Sequence, residues 1–379
     1  MKLHIVKRHN CPLWLRIVLY VVAIAAALGI GAAVLFAIGV DPMDYYYQMF
    51  TMGTVDNPIA YKTYMNYLKE FVPLALTSVA LSLAFKMRFW NIGGEGQFIM
   101  GAITAALVAF KAGPHLPMAL TLVIMCLAAM IVSGLYGLIA ASLKIKFGTN
   151  ETLLTLMLNY VALYILYYIG ETKADWNFFL AADSNRPVFE NFSEYAAFPS
   201  IPLGGKFQLN ICVILALVIG AIIFVYLKYT KQGYEISVVG DSMGTANYAG
   251  MKVKTIVLRT VFLSAALIGL AAAFKVGTAG VLSTAITDDV GWTGIIVAWL
   301  SQLSTGIIFV VSALISVLQF GSTQANAVFS QVDSSFANML QGIILFLVLA
   351  VDFYTRFRVV IVKKEKTENT VEEGEKNNG

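Results

Sequence analysis

Charge is scarce in this sequence. Of its 379 residues only 13% are Asp, Glu, Lys or Arg, while 59% are hydrophobic; soluble domains carry about 25% charged and about 45–50% apolar residues. So few charges cannot cover a water-facing surface, which excludes a soluble enzyme. A helical bundle in lipid, by contrast, exposes apolar side chains at no cost. Cysteine is nearly missing as well. Cys11, Cys126 and Cys212 lie near or inside apolar runs without metal-ligand spacing and read as small hydrophobes, so neither a disulfide framework nor a metal site is expected. The three histidines, His4, His9 and His115, form no cluster. Gly-x-x-x-x-Gly-Lys-[Ser/Thr] and His-Glu-x-x-His are absent, so the chain is not expected to be an enzyme, and any ATP it uses must be hydrolysed on another chain.

Long apolar runs are abundant. They cover 17–40, 71–85, 89–110, 116–143, 152–169, 209–227, 256–274, 291–320 and 338–351. The 291–320 run would reach about 45 Å as one helix against a hydrocarbon core of about 30 Å. Ser301-Gln302-Leu303-Ser304-Thr305-Gly306 interrupts it, so it reads as two spans. The expected fold is an all-α polytopic membrane protein with about ten transmembrane helices. Although basic residues precede the first run, its 24 charge-free residues exceed a signal core of about 7–15, and 1–40 reads as a retained N-terminal transmembrane helix.

The net charge of +4 matters less than where the basic residues fall, and no nucleic acid is expected as a partner. With the N-terminus inside, 19 of the 26 Lys and Arg lie on the cytoplasmic side. Lys62, Lys69, Lys111, Lys173, Arg186, Lys206 and Lys275 fall outside, which places both termini in the cytoplasm. The main transmembrane domain is then 41–355. Its extracellular segment 170–208 carries Trp176, Phe178, Phe179, Phe189, Phe192 and Phe198 and is expected to pack as a small cap. Residues 228–254 form the one sizeable inner segment, and 356–379, dominated by Lys, Glu, Asn and Gly, reads as a disordered cytoplasmic tail.

Polar residues within the apolar runs are the functional candidates. Asn91-Ile92-Gly93-Gly94-Glu95-Gly96-Gln97 opens the third run, and each glycine costs a helix about 1 kcal/mol, so the helix is expected to break or kink here. Glu95 either belongs to a translocation pathway, where broken backbone and charge are tolerated, or marks a helix start near the headgroups. Thr152, Thr155 and Asn159 share one helical face, as do Asn338 and Gln341. Such amides either bind neighbouring helices or contact a polar solute. Asn91, Glu95, Gln97, Asn159 and Gln341 are the candidate pathway residues, and neutral amides and hydroxyls suit an uncharged solute such as a nucleoside or sugar. Glycine-rich entries at Gly93–Gly101 and Gly291–Gly294 suggest an inverted repeat.

Three blocks carry a family resemblance: Phe89-Trp90-Asn91-Ile92-Gly93-Gly94-Glu95-Gly96-Gln97-Phe98-Ile99-Met100-Gly101-Ala102, Phe147-Gly148-Thr149-Asn150-Glu151-Thr152 leading to Met157-Leu158-Asn159-Tyr160, and Gly291-Trp292-Thr293-Gly294-Ile295-Ile296-Val297-Ala298. From about Leu68 to Val351 the chain resembles permease subunits of ABC importers in the branched-chain amino acid/ribose permease superfamily, most closely the nucleoside and simple-sugar branch. Glu235-Ile236-Ser237-Val238-Val239-Gly240 and Ala246-Asn247-Tyr248-Ala249-Gly250-Met251 are similar to the loop that seats a coupling helix on the ATPase. The resemblance thus implies coupling roles for Glu235, Gly240, Ala246 and Gly250. Ser237 departs from a common arginine, and Ser242-Met243 from a common Asn-Pro pair whose loss favours a more continuous helix.

The resemblance further implies alternating access in the cytoplasmic membrane, driven by a partner ABC ATPase that binds ATP and Mg. A second related permease and an extracellular solute-binding lipoprotein complete the expected assembly, and this chain binds no cofactor itself. Nucleosides are the expected cargo, with ribose or another simple sugar as the alternative. A stand-alone secondary carrier is the rival class, and it would need an intramembrane Asp/Glu/His relay that this sequence lacks.

Overall fold

The computed structural model describes residues 2–7, 12–55, 57–333 and 335–362. Thirteen α-helices account for most of them: α1 (Leu13–Ile38), α2 (Pro42–Thr51), α3 (Ala60–Lys86), α4 (Gly94–Ala112), α5 (Met118–Phe147), α6 (Glu151–Glu171), α7 (Ile211–Tyr229), α8 (Lys231–Asp241), α9 (Met243–Tyr248), α10 (Val253–Ala279), α11 (Val290–Leu300), α12 (Thr305–Val328) and α13 (Ser335–Arg356). Two short antiparallel pairs join β1 (Lys2–Lys7) to β4 (Phe357–Val362) and β2 (Ser200–Gly204) to β3 (Phe207–Asn210).

Among the described residues, nine helices are long and apolar enough to cross a membrane. The tenth expected span is different. The 291–320 run does break at 301–304, but its first half is only the 11-residue α11, about 16 Å long. Helix cannot extend further back because Asp288 and Asp289 hold left-handed backbone, with φ of 43° and 56°.

The chain still passes from one end of the bundle to the other between α10 and α12. The end of α10 and the start of α3 lie level, as Phe274 and Thr278 share a crevice with Leu68 and Val72. Trp299, at the end of α11, packs instead on Phe85 at the far end of α3. The crossing is completed by the non-helical stretch before α11.

Residues 35–341 form one structural unit. Helices α3 and α10 run through its interior, and 83% and 78% of their apolar 18-residue stretches are buried. Hydrocarbon supplies no hydrophobic drive between helices, so small residues and hydroxyls make the contacts. Ser264 donates to the Ala80 carbonyl at 2.7 Å and Ser133 to that of Ala265 at 2.7 Å. Helices α4 and α10 meet at glycines, since a Cβ at Gly101 would sit 2.7 Å from Gly269 Cα. The aromatic segment after α6 packs over one end: Phe110 lies edge-on to Phe179 and Phe192, and Phe198 to Phe274. Trp176 is half exposed and stacks on Tyr168 instead.

Among the described residues, 2–7, 12–34 and 342–362 form the other unit. Its strands β1 and β4 pair Lys2 with Val362 through Lys7 with Phe357, which brings both ends of the described chain to the same side. Residues 357–362, placed within the tail by composition, are therefore strand, in keeping with their Val and Ile content. Cys11 and residues 363–379 of the expected tail lie outside the described residues.

Candidate functional site

The α4 entry is built by amides that serve the backbone. Residues 87–93 are not helical, so their N–H and C=O groups need partners inside the protein. Asn91 and Gln97 pair reciprocally, with Asn91 Nδ2 donating to Gln97 Oε1 at 3.1 Å and Gln97 Nε2 to Asn91 Oδ1 at 3.0 Å. Asn91 Oδ1 also accepts the Gly93 N–H at 3.1 Å. From α6, Asn159 donates to the Ile92 carbonyl at 2.9 Å and accepts the Gly96 N–H at 2.8 Å. Thr155 Oγ1 accepts the Ile92 N–H at 3.2 Å. Gly96 is required here, because a Cβ would lie 2.9 Å from Asn159 Cα.

Glu95 is buried, at 8% exposure, and its partner is α11. Its carboxylate accepts the Gly291 N–H at 2.8 Å and is also reached by the Trp292 N–H and the Thr287 hydroxyl. The two N–H groups are first-turn donors that no side chain of α11 itself satisfies: Asp289 stands at its N-cap without a side-chain cap bond. Glu95 thus caps α11 from another helix, where a negative group also suits the positive end of the helix dipole. The two glycine-rich entries meet at this point, since a Cβ on Gly291 would collide with the Glu95 backbone.

A cavity of about 480 Å³ opens beside this joint. Glu95 and Asn159 line it together with Tyr160, Leu163 and Tyr167 of α6, Thr284, Ala285, Thr287, Asp288 and Asp289 before α11, and Trp292. Asn91 and Gln97 do not line it. Gln341 sits beyond α11, donating to Thr293 Oγ1 at 3.4 Å, and Gln319 donates to the same oxygen at 3.1 Å. Asn338 is exposed while Gln341 is buried, so the two do not act as one face.

Sequence patterns did not single out Tyr160, Tyr167, Asp288, Asp289 or Trp292. The adjacent Asp288-Asp289 pair before a glycine-rich helix start was the available signal. Lys275, read as an outer-loop residue, is buried in α10, where Glu70 of α3 and Asp288 (2.8 Å) flank its ammonium. An ammonium inside a bundle needs such partners. Here they tether the cavity wall to α3 and α10.

At the opposite end of α3, helices α8 and α9 pack against the start of the 87–93 segment. Ile236, Val239 and Ala246 form one buried cluster with Met87 and Phe89. Gly240 lies directly on the Lys86 carbonyl, leaving no room for a Cβ. Glu235 pairs with Arg259 of α10 at 3.0 Å, and Gly250, with φ of 73°, turns the chain toward α10. The expected continuous helix is not formed. Ser242 is extended, and its Oγ accepts the Thr245 N–H at 3.2 Å, so it N-caps α9 and separates it from α8.

Helices that start inside a lipid-spanning bundle and meet at a polar cavity define a transport permease. A family model described as branched-chain amino acid transport system / permease component matches residues 63–349. The chain belongs to that family and is a multi-pass component of the cytoplasmic membrane. Similar proteins include the glucose ABC transporter permease protein TsgB13 of Haloferax volcanii, 28% identical over 365 residues that cover 93% of this chain and 92% of that one. The guanosine ABC transporter permease protein NupP of Bacillus subtilis is 28% identical over 312 residues, covering 79% and 84%. The nucleoside ABC transporter permease protein NupB of Lactococcus lactis is 27% identical over 314 residues, covering 81% and 84%.

Proposed function

We propose that the chain is a permease subunit of an ATP-driven importer that moves nucleosides across the cytoplasmic membrane by alternating access. The cavity lining carries this reading. Tyr160, Tyr167 and Trp292 offer aromatic faces for a planar base, while Asn159, Thr284 and the carboxylates of Glu95, Asp288 and Asp289 offer partners for ribose hydroxyls. Two of the relatives bear nucleoside or guanosine in their names. A simple sugar such as ribose is the second reading, favoured by the glucose permease that aligns with 93% of the chain.

Exposed surfaces support the expected partners. Helices α8 and α9 turn Tyr234, Met243 and Tyr248 outward, and this face supports docking on a partner ATPase that holds ATP and Mg. Glu235, Gly240, Ala246 and Gly250 give that segment its shape and seating. Helix α6 exposes Tyr160, Tyr164 and Tyr168 beside Met157 and Val161. Phenolic hydroxyls are poorly suited to hydrocarbon, and the face is continuous with the cavity through Tyr160, which supports contact with a second related permease. The positive-inside rule then orients α8 and α9, with both termini, toward the cytoplasm. The aromatic cap faces outward, where a solute-binding lipoprotein would dock.

The test is to purify the importer with its ATPase and lipoprotein, measure binding of guanosine, uridine, ribose and glucose to the lipoprotein, and measure uptake of the same solutes in proteoliposomes. ATP-dependent uptake of a nucleoside, competed by other nucleosides and not by sugars, is expected. Uptake of sugars alone would replace the nucleoside reading with the second one. Uptake without ATP would reject both.

A further inference from the structure

We infer that α11 is the moving wall of the cavity, a short rigid helix hinged at both ends and driven from α8 and α9 through the stacked indoles of Trp90 and Trp299. The inference rests on the coupling role proposed above for α8 and α9.

The hinges are visible in the backbone. Among the described residues, six non-glycine residues have left-handed φ. Four of them bracket α11: Asp288 (43°) and Asp289 (56°) before it, Gln302 (49°) and Leu303 (58°) after it. A fifth, Arg88 (56°), sits where α3 gives way to the α4 entry. Residues with a Cβ adopt this conformation at a cost, and it persists where surrounding structure imposes it, commonly at switch regions. No other helix in the described chain carries such a pair at both ends.

The grip on α11 suits movement. Its Gly294 faces α3, where a Cβ would first meet Thr77, Leu81 and Ser78 at 3.1–3.5 Å, while Gly291 faces the Glu95 backbone of α4. A glycine contact has no side-chain knob to unlock. Thr293 is held by side-chain hydrogen bonds of 3.1 and 3.4 Å, at or beyond the long end of the usual range. The Lys275 pairing holds Asp288, the first residue of the leading hinge.

The drive enters at the other end. Gly240 and Val239 of α8 press on Met87 and Phe89, and Trp90 follows immediately. The Trp90 ring stacks on Trp299 with centroids 5.2 Å apart and planes 15° apart, and Phe85 closes the cluster at 5.6 Å from Trp299. Displacement of the 87–90 backbone therefore reaches the last turn of α11. Its first turn carries Trp292, which lines the cavity.

The experiment uses the complete importer in proteoliposomes, with guanosine, uridine and glucose as probes, and reads solute imported per ATP hydrolysed. Trp299→Ala should lower that ratio at least ten-fold while ATP hydrolysis stays within two-fold of wild type. Trp299→Phe, which keeps a ring in the stack, should keep the ratio within three-fold. Gly240→Leu, at the α8 contact, is the control and should also lower import at least ten-fold. A wild-type ratio in Trp299→Ala with Gly240→Leu impaired overturns the inference alone. Unchanged import in Gly240→Leu overturns the coupling role beneath it. Equal loss of import and hydrolysis in both Trp299 variants assigns the stack to packing and also overturns the inference.

Discussion

Helices α4 and α11 both begin inside the bundle, at Gly94 and Val290, and their first turns touch through Glu95 and Gly291. The ways they are held are opposite. The α4 entry is fixed by buried amides: Asn91 on Gln97, and Asn159 on two backbone groups of the entry. The α11 entry has no such network. It rests on two left-handed aspartates, an ammonium on α10 and a carboxylate borrowed from α4. An irregular backbone stretch in lipid must satisfy every polar group. Short-range amide pairs do this rigidly, whereas long charged side chains do it with reach to spare. One entry is thus an anchor and the other a joint.

Three substitutions bear on that contrast. Asn159→Leu should have the largest effect, because it leaves the Ile92 carbonyl and the Gly96 N–H buried without partners, each at a cost of about 1–3 kcal/mol. The recovery of monodisperse protein in detergent and its Tm should fall together with uptake. Normal Tm with normal uptake would show that the α4 entry is not an anchor.

Lys275→Met should act the other way. The side chains of Glu70 and Asp288 are 38% and 54% exposed and can be hydrated once the ammonium is gone, so the protein should assemble with near-native Tm. The cavity wall loses its tether, and uptake should fall roughly ten-fold, equivalent to about 1.4 kcal/mol of barrier. Loss of assembled protein would make Lys275 part of the anchor.

Glu95→Gln should have the smallest effect. A Gln Oε1 can still accept the Gly291 N–H, and an uncharged solute needs no countercharge. Thermal stability should match wild type, with uptake lowered by no more than about three-fold if hydrogen bonding is the main role. Abolished uptake in a well-assembled importer would mean that the negative charge itself is required.

Much of the plan was legible one residue at a time. Helix α7, whose run is apolar throughout, needs nothing but length to be recognised as a span, and only 28% of its apolar 18-residue stretch is buried. Helix α3 is legible only in part: its apolar run starts at Phe71, yet the helix begins at Ala60 and carries Glu70 toward Lys275. The amides on α6 were visible as a face, but whether they met solute or backbone depended on what lay opposite. Asn159 does both, lining the cavity while holding the α4 entry, whereas Asn91 and Gln97 hold the entry without lining it.

Sequence by itself determined that this chain lives in lipid, that it is helical, where the helices run and where two of them break. Those outcomes depend on composition and on neighbours within a turn or two, and a bilayer enforces them on any segment that long and apolar. Tertiary structure decided the length of α11, the burial of Lys275 and the service to which Glu95 is put. Each of these rests on a partner far along the chain: the Glu95 carboxylate caps a helix through Gly291, 196 residues later, and Lys275 meets a carboxylate 205 residues earlier. No local pattern encodes such pairings, because a buried polar group settles on whatever the folded bundle brings within hydrogen-bond reach.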